Sequence, residues 1–193
     1  MDLTDLIRKY RWFYTSNDRL VLAGKSSTSN DSLLKELKKH KKQYLILHTK
    51  NPGSPFSAII EKPERVSEQD IKEAAIFTAC FSQDWKKNKR TSNIDLFYIS
   101  DTKKSIFLKP GTWRVKRKIR EIKSKLALVL TSQNGKLRSV PEETIKNSER
   151  LAKVLPGDKT KEESLEIIKK KLKNKFKNEE ILSALPPGGI KIT

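Results

Sequence analysis

Cysteine, histidine and methionine are nearly missing from this chain of 193 residues, which has one Cys (Cys80), two His (His40 and His48) and one Met. A single cysteine excludes an internal disulfide, and two histidines beside it exclude a structural zinc site built from Cys and His. Acidic residues are scarce as well: 23 Asp and Glu face 42 Lys and Arg, a net charge of +19. No apolar run approaches the roughly 20 residues of a membrane span. The start MDLTDLIRKYRW carries acidic residues where a signal peptide has basic ones. The expectation is a soluble cytoplasmic protein with no membrane partner. Walker, GxSxG and HExxH motifs are missing too, so no catalytic residue, metal or cofactor is indicated.

What is present is enough to fold: 35% of the residues are hydrophobic, a supply sufficient for the core of one domain of this length or one domain with a small appendage. The positive charge is spread along the chain, with excesses of +6, +8 and +5 over residues 1–60, 61–130 and 131–193. Lys outnumbers Arg 32 to 10, as on a Lys/Glu-rich thermophile surface, but there acidic residues rise in parallel and here they do not. A folded surface so positive attracts polyanions, and nucleic acid is the first partner to consider.

Hydrophobic periodicity predicts α+β architecture. A hairpin is expected over 12–24, with Ser16, Asn17 and Asp18 at its turn. The trio 29–31 offers an N-cap for a helix through Leu33, Leu34 and Leu37. Strands are expected at 44–48 and 56–60 around a Pro-Gly loop, followed by a helix from Ser67 whose small residues suit close packing on a sheet. Further strands are expected at 94–99, 105–108 and 113–116. Beyond them, the strand 126–130 turns at Asn134-Gly135 into 136–138. A helix is expected over 144–151, a strand over 152–155 ended by Pro156-Gly157, and then a helix capped by Thr160 and Glu163 with the stripe Leu165, Ile168, Leu172 and Phe176. The expected fold is therefore a mainly antiparallel sheet with a packed central helix over 1–122, and a small C-terminal β-α-β-α subdomain over 123–193 packed on it.

Two basic clusters each contain an indole: Trp85 with Lys86, Lys87, Lys89 and Arg90, and Trp113 with Arg114, Lys116, Arg117 and Lys118. Cations hold phosphates and indoles stack on unpaired bases, so both clusters are candidate RNA contacts. Strand alternation nevertheless favours Trp113 and Val115 facing a core, with Arg114 and Lys116 in solvent. The Lys-rich run after Lys169 is assigned to an ordinary packed helix. His48, where a strand opens into a loop, is open to two readings, a ligand-facing residue and a hydrogen-bonded structural one. Cys80 reads as a small buried hydrophobe.

Several short strings occur together in one order: Arg11-Trp12-Phe13, Gly24-Lys25 with Asn30, the strand ending at His48 with Gly53-Ser54-Pro55 behind it, Glu73-Ala74-Ala75 leading to Ser82 and Trp85, and Pro110-Gly111-Thr112-Trp113. Over about residues 8–120 they resemble the NFACT-R domain, the RNA-binding module of ribosome quality-control proteins and of small stand-alone relatives. The resemblance implies RNA contacts at Arg11, Lys25, His48 and Ser54 beside the two basic clusters, with tRNA or ribosomal RNA as ligand and the ribosome as a further partner. The chain departs from the family's usual Gly-Gly-Arg-Asp at Ala23-Gly24-Lys25-Ser26, exchanging a planar fork for a point charge. It also has Tyr44 where an acidic residue is usual.

The resulting expectation is a non-enzymatic RNA-binding protein of translation or its quality control. Two rivals stay open at this stage: an RNA-modifying or RNA-processing enzyme, or a subunit of one, with His48, Lys25 and Ser54 in a pocket, and a DNA-binding protein.

Overall fold

The runs 20–23 and 45–47 are apolar at consecutive positions, and a strand written that way must be covered on both faces. The computed structural model describes residues 3–105, 107–145 and 150–193, with side chains from residue 6 onward, and these strands are covered on both faces. Helix α1 (Leu3–Lys9) leads into the hairpin β1 (Arg11–Tyr14) and β2 (Leu20–Ala23). Next come α2 (Ser27–Lys39), β3 (Leu45–Thr49), β4 (Ser57–Ile59), α3 (Glu68–Cys80), α4 (Gln83–Lys86) and β5 (Thr91–Tyr98). A small ribbon of β6 (Thr102–Lys103) and β7 (Arg114–Val115) precedes β8 (Arg120–Lys125). The chain continues through β9 (Leu128–Gln133), β10 (Lys136–Val140), β11 (Ala152–Lys159), α5 (Lys161–Lys171), α6 (Asn178–Ala184) and β12 (Ile190–Ile192).

Among the described residues six strands form one antiparallel sheet in the order β1-β2-β4-β3-β5-β8, and four form a second in the order β10-β9-β11-β12. The fold is α+β. Alternation along the strands divides the first sheet's side chains between two cores. Trp12, Leu22, Ile46 and Phe97 pack with α1 and α2, whereas Phe13, Val21, Leu47 and Ile94 pack with α3. The second sheet covers the far side of α3, because Leu128, Val129, Leu130 and Val140 share its core. That double cover explains a helix with little amphipathic contrast: Ala74, Ala75, Ala79 and Cys80 expose nothing, and small side chains let both sheets come close. Burial also pushes the Cys80 thiol well up.

Polar side chains at the sheet margins close the remaining gaps. The turn of the first hairpin is fastened to the start of α3, where Thr15 Oγ1 donates to Asp70 at 2.5 Å and the Ser16 amide donates to Glu73 at 2.8 Å. Asp70 is held below the usual carboxylate range: burial raises it, but hydrogen bonds from Thr15, Ser67 and Asn17 outweigh that. The open edge of β1 meets Gln133 of the second sheet, whose side-chain amide accepts from Tyr14 N and donates to Tyr14 O, each at 2.9 Å. A pendant amide thus replaces a neighbouring strand.

Several expected boundaries differ. The N-cap of α2 is Ser26 rather than the trio 29–31, because the serine run supplies a reciprocal pair: Ser26 Oγ accepts from Ser29 N and Ser29 Oγ from Ser26 N. Asn30 is freed to point inward. No strand forms at 105–108 among the described residues, where Leu108 N bonds Ser105 O in a turn; residue 106 lies outside them. The helix expected over 144–151 falls largely on 146–149, also outside the described residues, and Glu142–Thr144 is a single 3₁₀ turn. Strand β11 does not stop at Pro156-Gly157 but runs through a bulge to Lys159, since at a bulge proline need not donate. Among the described residues the C-terminal order is β-β-β-α-α-β where β-α-β-α is expected. The short α6 and β12 flank a Pro-Pro-Gly-Gly stretch and show no periodicity of their own. The division expected at 122/123 lies within β8, a strand of the first sheet.

Candidate nucleic-acid interface

The site starts at the turn from β2 into α2. A Cβ on Gly24 would lie 1.9 Å from Asn30 Oδ1, so only glycine leaves room for Asn30 to turn in. There Asn30 Oδ1 accepts from Phe56 N at 3.0 Å, and Gly24 N donates to Phe56 O at 3.2 Å. The turn at Gly111, with φ of +79°, presses on Ser27 at the helix start, where a Cβ would lie 2.7 Å from that of Ser27. Behind it Asp31 accepts from Trp113 Nε1 at 2.7 Å and from Lys104 Nζ at 3.1 Å. Its carboxyl sits below the usual range, since bonds from Gly111, Lys104 and Trp113 outweigh the opposing effect of burial.

These contacts frame an open cleft of about 640 Å³ bounded by the β2–α2 turn, the end of β3, the loop 51–55, α4 and the turn 110–113. Arg11, Lys25, His48, Ser54, Lys86 and Lys118 all line it. Ser26 and Ser27 bring the N-terminal end of α2 to the same wall, and no acidic residue occupies that helix's first turn. A helix start adds partial positive charge and free amides to the side-chain cations. Arg11 donates to Gly24 O at 2.9 Å and stacks 4.9 Å from the Phe81 ring centre, and Lys25 donates to Arg8 O at 3.0 Å. Burial lowers the Arg11 pKa, and burial together with the charges of Arg11 and Arg138 lowers that of Lys25. Lys118 is tied to Asp95 at 2.5 Å and Lys50 to Glu121 at 2.9 Å. Arg11, Lys25 and Lys86 on this wall form no ion pair with a carboxylate among the described residues.

His48 stands opposite Asp95 on the neighbouring strand and lies against Phe56, ring centres 4.4 Å apart. Its Nδ1 is 2.7 Å from Thr49 O, and because a carbonyl only accepts, Nδ1 carries a hydrogen. Burial pushes its pKa down, more than the Thr49 carbonyl, Asp95 and the Ser54 carbonyl pull it up, which leaves a neutral ring at neutral pH. Ser54 is buried; its hydroxyl accepts from Thr49 N at 2.9 Å and donates to Pro55 O at 3.0 Å. Lys25, His48 and Ser54 thus share one cleft, but the serine proton is given to a carbonyl and not to a base.

The other candidates stand elsewhere. Lys87, Lys89, Arg90, Arg114, Lys116 and Arg117 are exposed and do not line the cleft. Lys89 pairs with Asp84 at 2.7 Å and Arg117 lies 3.9 Å from Asp101. The two clusters flank opposite ends of the β5–β8 ladder, since Thr91 pairs with Lys125 and Leu96 with Arg120. Each sends one member, Lys86 or Lys118, into the cleft. Trp85 is buried and donates to Gly189 O at 3.0 Å, so it is not free to stack on a base. Trp113 is buried too, with Lys38 and Lys104 near 6 Å from its ring.

The sequence model described as the NFACT protein RNA binding domain matches residues 9–117, more than half of the chain. The chain belongs to this family. The NFACT RNA-binding domain thus contains every element of the cleft except Lys118 at its rim and Pro187 from the C-terminal part. Among solved structures, the C-terminal part of the fibronectin/fibrinogen-binding protein of Streptococcus suis is similar at TM-score 0.53 and 22% identity, over 61% of this chain and 45% of that one. That likeness is one of fold, and this chain spans less than half of the matched structure. No curated protein matches the chain. Among the described residues no helix is long and apolar enough to cross a membrane, and no group of His, Cys, Asp and Glu is placed to hold a metal.

Ser26, Ser27 and Asp95 belong to the site as well, and none of them is among the residues expected there from the sequence. The serines were detectable as a run before an amphipathic helix, whereas Asp95 needed the strand register that sets it opposite His48.

Proposed function

We propose that this member of an RNA-binding family is a non-enzymatic module that grips structured RNA, tRNA or ribosomal RNA, in translation or ribosome-associated quality control in the cytoplasm. The observation carrying the reading is the wall of Arg11, Lys25 and Lys86, cations without a carboxylate partner among the described residues, beside the start of α2 in an open cleft of about 640 Å³. Phosphates neutralised there release counterions, and backbone amides at the helix start donate to a phosphate in any sequence context. Arg11, Lys25, Lys86 and Lys118 contact phosphate in this reading, while neutral His48 and the loop held by Ser54 shape the floor. The remaining cluster residues Lys87, Lys89, Arg90, Arg114, Lys116 and Arg117 add a diffuse attracting field, with little sequence discrimination and an affinity for DNA that is weaker. The test is binding of purified tRNA by the full chain and by the Lys25→Ser/Lys86→Ser variant. Loss of about tenfold or more in the variant supports the cleft, and unchanged affinity removes it from the interface.

Convergence of Lys25, His48 and Ser54 is the one observation favouring an enzyme. The bonding of Ser54 opposes it, because an activated hydroxyl needs a base in reach of its proton. Mass spectrometry of RNA incubated with the protein decides the matter: a modified or cleaved nucleotide that vanishes in His48→Ala would replace the module by an enzyme.

A further inference from the structure

A second cleft, of about 270 Å³, opens between α1, β1 and the β9–β10 hairpin. Arg11 and Lys25 line it as well as the first; Arg8 joins from α1, and Lys136 and Arg138 from β10. Among the described residues no carboxylate forms an ion pair with any of these five. The bonds they make run to backbone carbonyls, Arg11 to Gly24, Lys25 to Arg8 and Arg138 to Leu137. The acidic group that acts on Arg138 is Glu180, and one of its oxygens accepts the Leu137 amide at 2.8 Å.

A second feature converges here. Seven buried side-chain polar atoms lack a hydrogen-bond partner among the described residues, and three of them belong to residues of this cleft: Trp12 Nε1, Arg138 Nε and Ser139 Oγ. All three can donate, and a buried donor without an acceptor is costly. The Arg138 guanidinium lies over the Trp12 ring at 4.1 Å, which fixes its fork while leaving that nitrogen unbonded. Unpaired cations and unmet donors in one place call for an anion rich in acceptor oxygens.

We propose that this second cleft is a phosphate-binding pocket sized for one nucleotide unit, with Arg11, Lys25 and Arg138 around the phosphoryl oxygens and the aromatic wall of Trp12, Phe77 and Phe81 beside the remainder. Its volume lies just under the range of small-molecule sites, roughly 300 Å³ upward, so a duplex is excluded. Phosphate is chosen over carboxylate because five cations line one small cleft, and a phosphate monoester brings nearly two negative charges and three acceptor oxygens where a carboxylate brings one charge and two. Burial lowers the pKa of nearby Lys161, and the charge of Arg11 lowers it further against the opposing pull of Glu162, so cations crowd one another on this side of the molecule. Lys136, Arg138 and Ser139 lie beyond the family match, so the pocket exists only where the second sheet meets the RNA-binding domain. The nucleotide is either free or the phosphorylated end of an RNA strand held in the first cleft.

The test uses the full chain. Calorimetric titration with AMP and with adenosine addresses a free nucleotide; polarisation with an oligoribonucleotide bearing a 5′-phosphate, against its hydroxyl-ended twin, addresses a strand end. Preference for AMP over adenosine, or for the phosphorylated end, lost about tenfold in Arg138→Met, supports the pocket and names its source. Absence of both preferences overturns it, as does a preference that Arg138→Met leaves intact. Lys136→Ser changes an exposed position, so it carries the same comparison if Arg138→Met lowers the melting temperature; a loss of about threefold supports the pocket and no loss overturns it. The hydroxyl-ended strand separates this result from the RNA reading: it lacks the terminal phosphate that the pocket takes, so its failure to bind would count against that reading only.

Discussion

Asn30 occupies the space that a side chain on residue 24 would need, and through it the β2–α2 turn is joined to the loop before β4. Gly24→Ala must displace that carboxamide and leave the Phe56 amide unpaired. It should cost about 1–3 kcal/mol, read as a lower urea midpoint at unchanged slope. His48 gives a second expectation at this scale. Its folded pKa is depressed below the ordinary value of about 6.5, so between those two values the unfolded chain binds more protons. The stability it contributes is complete above about pH 6.5 and is lost as pH falls through the folded pKa. His48→Phe should flatten that acid-side decline in a series of melting curves, leaving the later loss that comes when the low-pKa carboxylates Asp31, Asp70 and Asp84 protonate. If the wild-type decline below about pH 6.5 persists in His48→Phe, the neutral, half-buried ring is the wrong account.

At the scale of elements, the two basic segments are split by what their neighbours do. Lys86 sits on α4 facing the cleft, while Lys89 is held by Asp84, whose carboxylate also accepts from Ser92 at 2.5 Å. Bonds from Lys89 and Ser92 keep that carboxyl below its usual range despite burial. Lys86→Ser should therefore reduce the salt slope of RNA binding by about 0.7 log unit per log unit, the worth of one single-strand phosphate contact. Lys89→Ser should change it little and instead lower stability, since it strips the partner from a buried carboxylate. Filter binding across a salt series, paired with thermal melts, separates the two. Equal slopes for both variants would mean that binding follows bulk charge and not position. Helix α5, with its basic last turn of Lys169, Lys170 and Lys171, is the control. Its buried Ile168 and the following Leu172 make it a packing element, and its lysines should leave the slope nearly unchanged.

For the whole molecule, α3 is the shared wall of two sheets, and this governs how the chain can be divided. An RNA-binding part over 1–122 and a C-terminal part over 123–193 remain our proposal for how function is apportioned, yet both sheets contribute to one core with α3. A chain ending at 122 would cut β8, uncover α3 on the side of Leu128 and Val129, and free the β1 edge that Gln133 closes. Such a truncation should lose the cooperative transition of the full chain or unfold at a clearly lower midpoint, as seen by calorimetry. A truncated chain melting like the intact one would show that the second sheet is not needed to cover α3. With Arg11, Lys25, Lys86 and Lys118 each meeting a phosphate, the intact protein should show a salt slope near about 3 for single-stranded contacts.

Sequence alone determined the elements that local chemistry specifies. The hairpin of β1 and β2, the capped starts of α3 and α5, the Asn134-Gly135 turn and the α+β class follow from periodicity, capping side chains and turn residues within a few positions of one another. Net charge and its spread likewise point to a polyanion without reference to the fold. Tertiary structure alone decided which cations matter together. Arg11, Lys25, Lys86 and Lys118 are scattered over more than a hundred positions of the chain, and they meet only because β4 inserts between β2 and β3 while α4 and the 110–113 turn fold over the same end of the sheet. It also decided that Trp85 is a core residue, since the carbonyl satisfying its indole comes from Gly189, 104 residues later. Charge is a property of composition, whereas a site is a property of distance, and no local rule fixes the distance between residues so far apart in sequence.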